Sequence, residues 1–222
     1  MEPRARHPGG GPAMTPAVST APPRQGRLRA EPLAWFALAG VVVYVGIDIL
    51  LAFLRPRYSL LHNAESDYGR GPWFWVMDVN FLLRCALSLA LVGALARSAR
   101  PPARGGLVLL STWAVCSGLL AFFADDLEGR PVTGSGVVHL LLAFIAFTCM
   151  AIGAVVISAS LRPAPVLMAL SVAGVAAFLL LGSAAGHKHA PGGLYERIFL
   201  GIELLWIAVA AAGLVVRQPA RR

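Results

Sequence analysis

The run VVHLLLAFIAFTCMAIGAVVISASL, Val137–Leu161, contains no Asp, Glu, Lys or Arg; its one ionisable side chain of the usual acid–base kind is His139. A helix rises about 1.5 Å per residue, so a run of this length crosses the roughly 30 Å hydrocarbon core of a bilayer. Working outward from it, five further runs have the same character: Pro32–Leu54, Trp73–Ala96, Gly106–Ala124, Pro165–Ala185 and Leu194–Val216. The breaks between them, RPRYSLLHNAESDYGRG, RSARPPARGG, DDLEGRPVTGSG, RPAP and HKHAPGG, are rich in Pro and Gly, as turns between antiparallel helices are. The sequence therefore predicts an all-α polytopic membrane protein, a six-transmembrane-helix up-down bundle over residues 32–217.

The whole-chain composition agrees. Of the 222 residues, 57% are hydrophobic and 14% charged, and the mean hydropathy is +0.69. A soluble domain carries about 25% charged residues. The formal net charge of +8 does not point to nucleic acid, because the basic residues are scattered at the ends of apolar runs with no basic stripe. Cys85, Cys116 and Cys149 each fall inside an apolar run, an arrangement that suits helix packing and neither a disulfide framework nor a zinc site. No cofactor motif and no metal-ligand spacing is present. Residues 1–31, rich in Pro, Gly, Ala and Arg, are expected to form a disordered basic tail, with a second short tail at residues 218–222.

Charge placement sets an expected orientation. Arg4, Arg6, Arg24, Arg27, Arg29, Arg97, Arg100, Arg104, Arg162, Arg217, Arg221 and Arg222 all map to one side. The positive-inside rule makes that side, with both termini, cytoplasmic. The other side has Arg55, Arg57, Arg70, Arg130 and Lys188, with Arg197 just inside the sixth helix. Acids show the opposite bias. Apart from Glu2 and Glu31, every one (Asp48, Glu65, Asp67, Asp78, Asp125, Asp126, Glu128, Glu196, Glu203) maps to the outer loops or the outer half of a helix, as do His62, His139, His187 and His189. The chemistry of the chain faces outward, in a cell membrane.

A charge inside a membrane helix costs at least ~2.5–3.5 kcal/mol and calls for a partner or a cavity. Asp48, Arg84 with Asn80 one turn away, His139, and Glu203 with Glu196 on the same face meet that description. One reading pairs Arg84 with Glu203 or Asp48 to fix helix register. The other has these groups line an outward cavity that takes a lipid headgroup, a solute or a proton. In the first outer loop, Glu65, Ser66 and Asp67 precede Gly69, Gly71 and Pro72, which predicts a tight turn over the mouth of the bundle, with Ser66 and Asp67 capping the approach to the second helix. Ser66 as a nucleophile with His139 and Asp126 lacks any supporting local motif. Asp125, Asp126 and Glu128 read as a solvated turn, or with His139 as a weak cation site. Trp35, Trp73, Trp75 and Tyr195 read as interfacial anchors, and Gly182, Ala184, Ala185 and Gly186 as a close-packing stripe.

The segment HNAESDYGRGPWFWVMDVNFLLR resembles the signature of the bacterial and archaeal membrane family known as domain of unknown function 998. FFADD at the end of the third helix, His139, and GLYERIFLGIELLW in the sixth extend the resemblance over roughly residues 33–217. It implies family positions at Ser66, Asp67, Gly69, Asn80, Phe81, Asp126, His139, Arg197 and Trp206, with Ala124 departing from a common proline. The first loop is distantly similar to that of the eukaryotic DRAM and Frag-type six-helix proteins, which are associated with lipid handling.

Together these readings give a candidate outer-side site of Ser66, Asp67, Asn80, Arg84, Asp126, His139, Arg197 and Glu203. Arg84 and Arg197 are expected to engage an anionic lipid headgroup, and Asp67, Asp126 and His139 to orient it or exchange a proton. Membrane lipids are the expected partners. A lipid-binding or lipid-remodelling protein, a small proton-coupled transporter and a structural membrane protein remain the alternatives. The orientation has its own test: a phosphatase reporter inserted in the 59–64 loop is expected to be active and one fused after Arg100 inactive, and the reverse pattern would overturn the assignment.

Overall fold

In the computed structural model, residues 30–127, 129–161, 163–184, 187 and 190–216 are described. Glu128, Arg162, Ala185, Gly186, Lys188, His189, both tails and the readings attached to them lie outside the described residues. Six α-helices form: α1 Ala30–Leu54, α2 Phe74–Ala96, α3 Arg104–Leu119, α4 Gly134–Ser160, α5 Pro165–Ala184 and α6 Gly192–Val216. All six, α3 taken with its final turn to Phe122, are long and apolar enough to cross a membrane. Each helix packs on its neighbours in the chain, and α1 packs on α6, so the bundle closes into a ring. The connections α1–α2, α3–α4 and α5–α6 gather at one end, here the acidic end.

The bundle is apolar outside, and its interior adds small and polar residues to a large apolar core. Val42, Phe53, Val108, Leu140 and Leu179 are each more than 60% exposed, which only hydrocarbon can solvate at this density. On the inner face of α1 the buried residues are Ala34, Ala37, Gly40, Val41 and Tyr44, three to four apart as one helical face requires. Lipid gives helices no hydrophobic reason to associate, so contact relies on close backbone approach and interhelical hydrogen bonds. Both devices are present. A Cβ on Gly106 of α3 would lie 2.7 Å from Ile157 Cγ1 of α4. The Trp113 indole donates to Ser88 across α3–α2 at 3.1 Å, and the Trp206 indole donates to Ser158 across α6–α4 at 3.0 Å. Trp206, a position picked out by family resemblance, is thus a packing residue. In α5 the close approach is at Gly174 on α6, while Gly182 of the expected stripe has open space around it.

One boundary differs from expectation. The third helix was expected to reach Ala124; instead it tightens into a 3-10 turn at Leu120–Phe122 and gives way to extended backbone at Phe123. The carbonyls that would continue it have other donors. Phe123 O is bound by His139 Nδ1 at 2.6 Å, Ala124 O by the Ser135 hydroxyl at 3.0 Å, and Asp125 O by Arg70 Nε at 2.5 Å.

The tight α3–α4 seam makes a prediction. Gly106→Val forces a methyl onto Ile157 and its backbone nitrogen and is expected to destabilise by about 1–3 kcal/mol. Gly105→Ala, where nothing lies within 4 Å, is expected to be neutral or stabilising. Thermal unfolding in detergent distinguishes the two, and equal melting points would refute the close-packing account.

Candidate functional site

The α1–α2 connection folds back into the acidic end. Its centre, the 3-10 turn Glu65–Gly69, is buried at all five residues, so its polar groups must find partners inside. Arg197 of α6 donates from Nη1 to the carbonyls of Asn63 at 2.7 Å and Leu60 at 3.2 Å, and the Leu194 N–H donates to Leu61 O at 3.0 Å. Arg55, at the end of α1, donates to the carbonyls of Arg70 and Pro72 at 2.5 and 2.7 Å. This pins the expected tight turn, in which Gly71 takes φ +71° and Trp73 the uncommon φ of +66°. Asn63 donates to Asp67 at 3.0 Å. Burial raises the Asp67 carboxyl above the usual carboxylate range, against the opposing Asn63 bond.

Beneath the turn runs a chain of buried polar groups. Arg84 of α2 is 1% exposed and lies among the rings of Tyr44, Phe81 and Trp113, with its guanidinium carbon 5.0–5.6 Å from their centroids. Its Nη1 donates to the Tyr44 hydroxyl at 3.1 Å. Tyr44 in turn donates to Glu65 Oε1, and the Glu65 N–H donates to Glu196 Oε2 of α6 at 2.9 Å. Arg84 therefore reaches a carboxylate through a phenol. Direct pairing with Glu203 or Asp48 was one expected arrangement. Among the described residues the ion pair within 4 Å is instead Arg70–Asp126 at 3.3 Å, and His139 Nε2 lies 3.8 Å from Asp125 Oδ2.

The α3–α4 connection supplies a second group. Ser66 donates to Asp125 Oδ2 at 2.9 Å, so it neither caps α2 nor contacts Asp126. His139, 3% exposed, gives its Nδ1 proton to a carbonyl that can only accept, which turns Nε2 toward Asp125. Asp126 faces the other way. It accepts from the Thr133 N–H at 2.7 Å and the Thr133 hydroxyl at 2.8 Å. Those two bonds, followed by the Arg70 charge, hold its carboxyl below the usual range.

Between α2, α4, α5 and α6 these groups border a cavity of about 560 Å³. Its polar end is formed by Glu65, Ser66, Arg84, Asp125, His139 and Glu196, with His62 nearby, and Phe81, Phe144, Phe147, Phe178 and Leu181 are among its apolar walls. Leu140, Phe144 and Gly182 line it and are also exposed on the bundle surface. The cavity thus reaches the lipid-facing surface of the bundle between α4 and α5.

Of the eight residues expected at the site, Ser66, Arg84 and His139 line this cavity. Asn80 stands behind it, donating to Tyr44 O at 3.4 Å. Asp67 and Arg197 shape the loop, and Asp126 holds Thr133, the residue that caps α4. Glu203 lies deeper in α6, 1% exposed, without a hydrogen-bond partner and against Gly174. Four residues outside that set, Tyr44, Glu65, Asp125 and Glu196, complete the polar groups. Glu196 stands two turns before Glu203, and Tyr44 one turn before Asp48, so both shared a face with a residue already singled out.

A family model described as "Protein of unknown function (DUF998)" matches residues 38–213, and the chain belongs to this family. No curated protein and no solved structure matches it.

The Asp126 contacts predict a pH signature. A carboxyl whose folded pKa is depressed adds stability in full above its unfolded value, here 3.8, and loses it as pH falls through the folded pKa. Wild type is expected to melt above Asp126→Asn at neutral pH, with the gap closing below pH 3.8. A gap independent of pH would show that the contact acts by shape alone.

Proposed function

We propose that this integral membrane protein binds a membrane lipid in the laterally open cavity, with the headgroup at the Arg84–His139 end. The carrying observation is the union of two features in one space: an opening between α4 and α5 lined by exposed Leu140 and Phe144, and a buried polar end. A solute from water would have no need of a sideways mouth, whereas a lipid would enter through one. About 560 Å³ falls within the roughly 300–1,000 Å³ typical of small-molecule sites, enough for a headgroup and the first part of its chains. Arg84 is the natural phosphate ligand, since it lines the polar end, its Nε has no partner among the described residues and guanidinium matches phosphate geometry. With the positive-inside reading, the acidic end and its cavity face the outer leaflet of the cell membrane and both termini lie in the cytoplasm.

Transport is the weaker reading. The cavity lining stops at Arg84 and Phe147. Beyond it the core is filled by Trp113, Trp206, Leu91 and Ile207, all fully buried, so a path onward would require those side chains to move.

Lipid identification on protein purified in mild detergent tests the proposal. Wild type is expected to retain a defined lipid that is lost from folded Arg84→Leu and from Gly182→Trp. The second variant places an indole at the mouth, where the glycine has no neighbour within 4 Å, so it leaves the packed core alone. Identical bulk lipid on wild type and Gly182→Trp would sink the proposal.

A further inference from the structure

Given the lipid-binding reading, on which this inference rests, the charges around the polar end say what kind of headgroup fits. One guanidinium, Arg84, stands against three carboxyls, Glu65, Asp125 and Glu196. Arg84 forms no ion pair with any of them; its polar partner is the Tyr44 hydroxyl. Glu65 and Glu196 are buried, and among the described residues each is held through one oxygen: Glu65 Oε1 accepts from Tyr44, and Glu196 Oε2 accepts from the Glu65 N–H. Buried charge is tolerated when paired. Among the described residues the polar end therefore carries one guanidinium, Arg84, whose Nε has no partner, beside two buried carboxyls, Glu65 and Glu196, that form no ion pair.

We infer that the ligand is a zwitterionic phospholipid bearing a primary amine, its phosphate on Arg84 and its ammonium between Glu65 and Glu196. A primary ammonium offers three N–H donors to the free carboxylate oxygens, and these charge-assisted bonds are the strong ones. A trimethylated ammonium offers none. A headgroup that is anionic without an amine brings a negative charge to three carboxyls. The ligand completes the ion pairing that the chain leaves open.

Native mass spectrometry of the full chain, titrated with phosphatidylethanolamine or phosphatidylglycerol of identical acyl chains, tests this assignment. Wild type is expected to retain phosphatidylethanolamine about tenfold better, the scale of one charge-assisted hydrogen bond. Glu196→Gln, which keeps an oxygen for the Glu65 N–H, is expected to bring the two lipids to parity, as is Glu65→Gln. Gly182→Trp is expected to lose both. Phosphatidylglycerol binding wild type as well as phosphatidylethanolamine overturns the amine assignment while the lipid reading stands, and so does an unchanged preference in folded Glu196→Gln. Equal, weak retention of both lipids by wild type and Gly182→Trp overturns the lipid reading itself, and the amine assignment with it.

Discussion

The burial of Glu65 is the constraint on which the acidic end is built. A carboxyl-bearing loop residue 3% exposed inside a membrane bundle demands hydrogen bonds to its side chain and its backbone alike. α1 supplies the Tyr44 hydroxyl to the side chain, α2 steadies that hydroxyl with Arg84, and α6 offers the Glu196 carboxyl to the backbone N–H. The two helices that flank the loop and the distant α6 are thus tied to one loop residue. The 3-10 turn around it can then roof the cavity as a fixed surface, with Arg55 and Arg197 clamping its two flanks through backbone carbonyls.

That division of labour explains why two arginines near the same end act so differently. Arg197 is surrounded by carbonyls of the 60–63 segment and of its own helix. It holds all three through Nη1, with Nε and Nη2 unpartnered among the described residues, and Arg197 is not among the cavity-lining residues. Arg84 has rings on three sides and one phenolic oxygen. Aromatic faces attract a cation without consuming its hydrogen-bond donors. Arg84 is therefore charged, rigid and still able to donate, which is what a ligand-binding group requires.

The helices were legible because bilayer thickness is a strict ruler. Charge-free runs of the right length at Pro165–Ala184 or within Gly134–Ser160 admit no alternative element. Site membership was legible in part. Burial cost picks out Arg84 and His139 from sequence, because ionisable groups in apolar runs are rare. It does not reveal partners, which depend on contacts such as Glu65–Glu196, 131 positions apart. Asp125 lines the cavity and Asp126 does not, for a local reason. Once the His139, Ser135 and Arg70 side chains draw the 123–125 carbonyls out of helical register, the backbone is extended and neighbouring side chains alternate in direction. Asp125 then faces Ser66 and the cavity, and Asp126 faces Thr133. The family match over residues 38–213 spans both aspartates and cannot itself separate them.

The position of the cavity follows from unequal packing around the ring. α2 has half of its membrane window buried, α5 only 17%. α5 lies against α6 through Gly174 at mid-helix and against α4 through Ser158 and Ser171, which bond at 2.9 Å. Those contacts hold the middle of α5 and its end nearest the α4–α5 connection. Toward the acidic end, Gly182 has no neighbour within 4 Å, and the wall between α4 and α5 opens. A helix fastened along one part of its length and free along the other makes a side entrance without breaking any transmembrane hydrogen-bond ladder. The aliphatic half of the bundle can then stay close-packed while the polar half remains accessible from the bilayer. A polar pocket that also meets the lipid-facing surface needs that combination.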